Sequence, residues 1–399
     1  MTLGMEARLS GSFDQAYRFL LEAYPLSLNS SDRMLLSLIK GLLGEVCIEL
    51  GELHQAASYF QQTLAQPKAQ DEGAEALLHA NSVWGLIRLS YEWNKVDQAE
   101  DLAHEASLYR FRDHVSSWEE ETHMKLELAR LLVLRAKGSV AEVQAALSAL
   151  LVRLGSLPNT FSLICEVRAW QARWQIRDGD LAAAERTLGT LARSEKELSL
   201  LQRETIRLLH ARILLARGET KAALPAFLRL LSDAVARKHL IRVLEIQLLT
   251  ALAYAVDNQR QEARHQLMLV LSQARHEGFV RFFLDEGEPM STLLRQVVPT
   301  LTEIPLRSYA QSLLSALACP PPPHTKGLNR TEGLLLEPLS VQEQRVLTLL
   351  VAGHSNPEIA ETLIVSVNTV KAHVKHLYRK LGVTNRMEAG EVARREQLI

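Results

Sequence analysis

Between Ser366 and Met387 stand five basic residues, Lys371, Lys375, Arg379, Lys380 and Arg386, and no Asp or Glu. The whole chain is balanced, with 45 Lys and Arg against 46 Asp and Glu over 399 residues. The basic stripe is therefore not an echo of a basic composition. A one-signed patch on a neutral protein is a surface shaped for a polyanion. Near-zero net charge excludes a protein that coats nucleic acid along its whole surface, and leaves room for one specific basic face.

The elements that must carry this stripe can be read from their ends. Ser340-Val-Gln-Glu343 and Ser355-Asn-Pro-Glu358 are both Ser-x-x-Glu. In such a box the serine oxygen accepts from the third helical amide while the glutamate reaches back to the serine amide. Helices are thus expected from near 340 and 355, with Pro357 tolerated among early amides that have no intrahelical partner. Gly353 is a left-handed stop for the first. A third helix is expected after Ser366, with Val367, Val370, Val374, Leu377 and Leu381 at helical spacing. At 100° per residue these five fall within about 80° of one another, a core-facing stripe. Asn368, Lys371, Ala372, Lys375 and Arg379 fall on another face, centred roughly 140° away. Lys can donate to guanine, Ala can meet a thymine methyl and Asn can pair with adenine, so this face suits a DNA major groove. With the short Ile364-Val365 link, helices two and three make a helix-turn-helix in which Ala360 allows close approach. A solvated basic face on a small helical domain is the alternative reading.

The run from Leu339 to Ala393 resembles the LuxR-type helix-turn-helix module along its length. Its most specific pieces are Gly353, Ser355-Asn356, Glu358-Ile359-Ala360, Thr369-Val370-Lys371, His373-Val374 and Lys380-Leu381. The resemblance implies that Lys371, Ala372 and Lys375 face bases, and that Asn356, Thr369, His376, Arg379 and Arg386 lie near phosphates. One departure is Gln342, where the family usually has Arg beside the first cap glutamate; this removes an Arg-acidic tie but leaves the reading face untouched. A fourth helix, Glu388 to Leu398, is the expected pairing surface of a dimer on DNA.

The remainder of the chain repeats. A turn residue followed five positions later by a small residue recurs at Gly11/Ala16, Gly51/Ala56, Asn94/Ala99, Gly138/Val143, Gly179/Ala184, Gly218/Ala223 and Asn258/Ala263. Successive turns are 40, 43, 44, 41, 39 and 40 residues apart. Each turn parts two apolar helical runs, so each unit is an antiparallel hairpin stacked on its neighbours, a long tetratricopeptide-like repeat. Each repeat is expected to bury its face only against adjacent ones. The fold class is therefore all-α: a helical-repeat solenoid over 1–318, a Pro-rich linker over 319–337 that includes Cys319-Pro-Pro-Pro-Pro323, and a four-helix LuxR-type domain over 338–399. The segment from Gly278 to Val297 is similar to the end of the sensor solenoid in MalT-like regulators. Phe279, Phe282, Phe283 and Leu284 are expected to cap the solenoid core. Trp170 and Trp174, one turn apart, are expected in the core, with a concave ligand surface as the other reading.

There is no Gly-x-x-x-x-Gly-Lys-Ser/Thr loop, and MalT-like regulators would carry an ATP-binding module ahead of the solenoid. Together with the short first helix before Gly11, this is read as a truncation at an internal start. The 13 histidines are scattered and the 3 cysteines are isolated, so no metal, no cofactor and no enzymatic activity are expected. Lone cysteines, no signal sequence and no membrane-length apolar run point to the cytoplasm and away from the membrane. The expected function is a sequence-specific DNA-binding transcriptional regulator, an activator, whose repeat domain senses an effector or protein partner. Its partners would be double-stranded DNA, with RNA polymerase a further candidate. The rival reading is an interaction scaffold or truncated relic with little DNA binding of its own.

Overall fold

The computed structural model describes residues 2–28, 33–65, 74–107, 117–157, 160–192, 198–318, 341–351, 354–363, 370, 374, 377, 378, 383 and 386–395. The chain divides into two compact units, Met1–His324 and Thr325–Ile399. Among the described residues every regular element is a helix. The expected linker, and the helix ends read at Ser340, Gly353 and Ser366, lie outside them.

In the first unit seven hairpins follow one another: α1 (Thr2–Leu9) with α2 (Phe13–Leu28), α3 (Arg33–Glu49) with α4 (Leu53–Leu64), α5 (Ala74–Glu92) with α6 (Val96–Ala106), and α7 (Ser117–Ala136) with α8 (Val140–Gly155). Then come α9 (Phe161–Arg177) with α10 (Leu181–Ala192), α11 (Leu200–Ala216) with α12 (Thr220–Ala236), and α13 (Leu240–Val256) with α14 (Arg260–Glu277). A cap of α15 (Arg281–Leu284), α16 (Glu288–Val297) and α17 (Ile304–Ala318) ends the series.

All seven turn residues read from the sequence are left-handed, from φ 57° at Asn258 to 86° at Gly138. The reason is the chemistry of a helix end. At Gly51 the amide donates to Ile48 O at 3.0 Å and the Glu52 amide to Cys47 O at 2.8 Å, which satisfies carbonyls that the helix leaves open. That geometry needs positive φ, which Gly adopts without strain and Asn tolerates. Five residues on, the six alanines from Ala16 to Ala263 are at most 1% exposed and Val143 is 3% exposed. A small side chain at that point lets the second helix lie close against the first. The sequence pattern misses two such turns, at Lys238 (φ 54°) and at Gly278 (φ 72°), which ends α14.

The repeats also do what neighbour-only stacking does not predict. The first helices pack in order, α3 on α5, α5 on α7, α7 on α9, α9 on α11 and α11 on α13, and α13 then returns to α3. The superhelix is tight enough for one turn to meet the next after five repeats. One apolar core accordingly holds Ile48, Leu53 and Phe60 together with Leu248, Leu252, Phe279 and Leu294. Turn tips form the seam: a side chain at Gly51 would lie 3.2 Å from Leu240, and one at Gly278 would lie 3.5 Å from Trp93. The expectation that each repeat touches only its neighbours is corrected by this return.

Phe279, Phe282, Phe283 and Leu284 are all buried in that core, with edge-to-face ring pairs at 5.7 and 5.5 Å. Trp174 is buried in a core cluster with half-buried Trp170 packed against it. Ion pairs also join the first helices to one another and to the cap. Glu45 meets Arg8 at 2.8 Å and Lys125 at 3.4 Å, and Arg212 bridges Glu245 at 3.0 Å and Glu286 at 2.9 Å.

Candidate nucleic-acid interface

The second unit is built around one small apolar cluster. Val346, Leu347 and Leu350 come from α18 (Val341–Val351), and Ile359 and Ala360 from α19 (Asn356–Leu363). Val370 and Leu377 come from the third helix, and Ala389 and Ala393 from α20 (Arg386–Arg395). All nine are at most 4% exposed. Half-buried Val374 packs on the same cluster. Val370, Val374 and Leu377 are four and three residues apart, so they fix which face of the third helix turns inward. Ala360, buried in the cluster, is small enough for α19 to approach its neighbours.

The start of α19 carries the glutamate half of the predicted capping box, and the serine hydroxyl there donates to the glutamate. The Ser355 amide donates to Glu358 Oε2 at 2.6 Å and the Ser355 hydroxyl to the same oxygen at 2.8 Å. These two bonds hold the Glu358 carboxyl below the usual carboxylate range. A carboxylate in the first turn also complements the helix dipole.

Of the nine residues singled out for DNA, two are described. Asn356 opens α19 and Arg386 opens α20, and both line one concavity of about 620 Å³ with Ser355, Pro357, Val374 and Tyr378. Arg386 Nη2 donates to the carbonyl of Leu350 near the end of α18. That bond ties the first residue of α20 to a helix terminus whose carbonyls have no intrahelical partner. It uses one of five guanidinium donors. Burial pushes the Tyr378 phenol up, with Arg386 partly offsetting the effect. The sequence reading missed both Tyr378 and the Arg386–Leu350 bond. Asn368, Thr369, Lys371, Ala372, Lys375, His376 and Arg379 lie outside the described residues. Among the described residues there is no group of His, Cys, Asp or Glu able to hold a metal ion, and no helix is long and apolar enough to cross a membrane.

Comparison with known proteins adds to this geometry. Residues 1–299 match the family model described as "MalT-like TPR region". Residues 337–393 match that described as "Bacterial regulatory proteins, luxR family". The chain is similar to "HTH-type transcriptional regulator MalT" of Serratia proteamaculans (strain 568), with 26% identity over 326 residues. The match covers 77% of this chain and 35% of that protein, so the chain spans well under half the length of its relative. The solved structure "Crystal structure of APC/C hetero-tetramer Cut9-Hcn1" aligns with 100% of this chain and 86% of its own, at 11% identity and a TM-score of 0.28.

Proposed function

The chain belongs to the luxR-family regulators with a MalT-like TPR region, and from that membership we propose that it is a sequence-specific, DNA-binding transcriptional activator in the cytoplasm. The observation that carries the reading is the buried cluster inside the luxR-family match. It joins α18, α19, the third helix and α20, and turns Val370, Val374 and Leu377 inward. On this reading the face of the third helix away from that cluster enters a DNA groove. On this proposal Asn368, Lys371, Ala372 and Lys375 read bases. Asn356, Thr369, His376, Arg379 and Arg386 hold phosphates, and the shared concavity of Asn356 and Arg386 supports a joint role for that pair. The chain acts by binding, not catalysis. DNA is its first partner, it engages DNA as a dimer through α20, and RNA polymerase is a further partner. The superhelix senses an effector or protein that shifts the tail toward its DNA-competent arrangement.

The test compares the wild-type chain with Lys371→Ala and Lys375→Ala on one promoter fragment and one scrambled duplex over a salt series. Loss of a base contact should cost about 1–3 kcal/mol on the cognate site and relax sequence preference. Thr369→Val, aimed at a phosphate, should weaken both duplexes alike. Unchanged discrimination by both lysine variants, with helix content intact, rules the base-reading assignment out. If the wild type binds neither duplex, the chain is an interaction scaffold.

A further inference from the structure

The concavity of the second unit brings together three hydrogen-bonding side chains from three helices. They are Asn356 at the start of α19, Tyr378 on the third helix and Arg386 at the start of α20. Among the described residues, neither the Tyr378 hydroxyl nor the Asn356 side-chain amide has a hydrogen-bond partner. Arg386 gives one donor to the Leu350 carbonyl and keeps its remaining donors. Half-buried Tyr378 packs its ring on the apolar cluster. A phenylalanine would pack there equally well, so the hydroxyl serves something other than the core. An amphipathic ring of this kind sets its polar tip toward a partner.

The three groups converge on the chemistry of an oxyanion. Arg386 supplies a fixed positive charge, and the phenol and the amide supply neutral donors. Burial pushes the Tyr378 phenol up, so it keeps its proton and remains a donor at neutral pH. Glu358 is the carboxylate that feels the Arg386 charge, and it is committed to the start of α19. Its Oε2 accepts the Ser355 amide at 2.6 Å and the Ser355 hydroxyl at 2.8 Å, and the side chain does not line the concavity. The position of Tyr378 on its helix fits as well. At 100° per residue it falls roughly 60° from the centre of the core stripe and roughly 80° from the centre of the basic face. It therefore stands at the border of the groove-facing surface, where the sugar–phosphate backbone passes.

We propose that Asn356, Tyr378 and Arg386 form one seat for a single backbone phosphate of DNA, with the Tyr378 hydroxyl as one of its donors. The seat rests on the DNA-binding reading and adds to it Tyr378 and the sharing of one phosphate by three helices. A phosphate held this way carries no sequence information; it fixes the register in which the third helix enters the groove. The bond from Arg386 to the Leu350 carbonyl positions the guanidinium for it.

Phosphate-ethylation interference with the full chain, on the promoter fragment, reads the seat. Ethylation neutralises one phosphate at a time and blocks one of its oxygens. The wild type should be excluded from DNA ethylated at the seated phosphate, once in each half-site. Tyr378→Phe keeps the ring and removes only the hydroxyl, and Asn356→Ala removes the amide from a different helix. Each should reduce the interference at that same phosphate and at no other. Each should also weaken binding to the promoter fragment by about tenfold, with an unchanged urea midpoint. A purely structural role would lower the midpoint and weaken every position together. A wild-type pattern in both variants overturns the seat and leaves DNA recognition standing. Losses at two different phosphates also overturn it, because the groups then do not share one. A wild type that binds neither the promoter fragment nor a scrambled duplex removes the DNA-binding reading, and the seat with it.

Discussion

Gly85→Ala should destabilise the solenoid although alanine is the better helix former. Phe60 is fully buried between two glycines. A Cβ at Gly85 would lie 2.7 Å from Phe60 Cδ2, and one at Gly44 would lie 2.6 Å from Cε1 on the opposite edge of the ring. The ring is pinched, so it cannot retreat from one added methyl without meeting the other wall. Replacing a helical glycine by alanine gains about 0.5–1 kcal/mol. Forcing a methyl into a packed core costs about 1–3 kcal/mol. With both edges of the ring blocked the cost belongs at the upper end, which leaves a net loss of roughly 1–2 kcal/mol. Gly189 is the control: it is exposed on α10 and a Cβ there meets nothing within 4 Å. Gly189→Ala should therefore stabilise by about 0.5–1 kcal/mol. Urea unfolding of the full chain, followed by helical circular dichroism, gives the midpoint shift for each variant. A third variant closes the cycle: in a Phe60→Leu background the cost of Gly85→Ala should fall by about 1 kcal/mol or more. If Gly85→Ala matches Gly189→Ala in stability, the pinched-ring argument is refuted.

Arg212→Met should cost about 3–5 kcal/mol, because it strands a buried carboxylate. Glu245 retains Arg173 at 2.7 Å and Arg242 at 2.6 Å, but Glu286 depends on the Arg212 guanidinium at 2.9 and 3.1 Å. Adding Glu286→Gln should restore most of the loss in the same urea assay, and a single variant as stable as wild type would show that the bridge contributes nothing. Acid stability has a named source in Glu49. Burial raises its carboxyl, but Arg88 and His239 outweigh that and hold it at about 2. A depressed carboxyl contributes stability that is present above its unfolded value and lost as pH falls through the folded one. Glu49→Gln should flatten the urea-midpoint profile between about pH 5 and pH 2. An unchanged acid limb would remove Glu49 from the account.

Much of the solenoid was legible because its signals are local. A left-handed cap needs Gly or Asn, and close hairpin packing needs a small residue five positions later, so Gly11 through Asn258 announce seven turns by type and spacing alone. Lys238 adopts the same conformation and escaped, since its side chain carries no sign of it. The seam escaped for another reason. His239 with Glu49 at 2.8 Å, and Glu92 with Phe282, are partners 190 residues apart. Such a pairing depends on the pitch of the superhelix, which accumulates from small rotations that no single repeat encodes. In the tail, the period of 3.6 gave the inward stripe of Val370, Val374 and Leu377. The tie from Arg386 to Leu350 O was hidden, because the need of one helix end for a donor says nothing about which distant residue supplies it.

On the function proposed above, the third helix of the tail recognises particular DNA sequences. Genome-wide occupancy of the tagged full-length chain tests it most directly, measured beside a Lys371→Ala/Lys375→Ala chain at equal abundance. The account predicts discrete sites sharing a two-fold-related sequence motif in the wild type, and their loss in the double variant. Occupancy without a shared motif, or the same motif and sites in both chains, would contradict it.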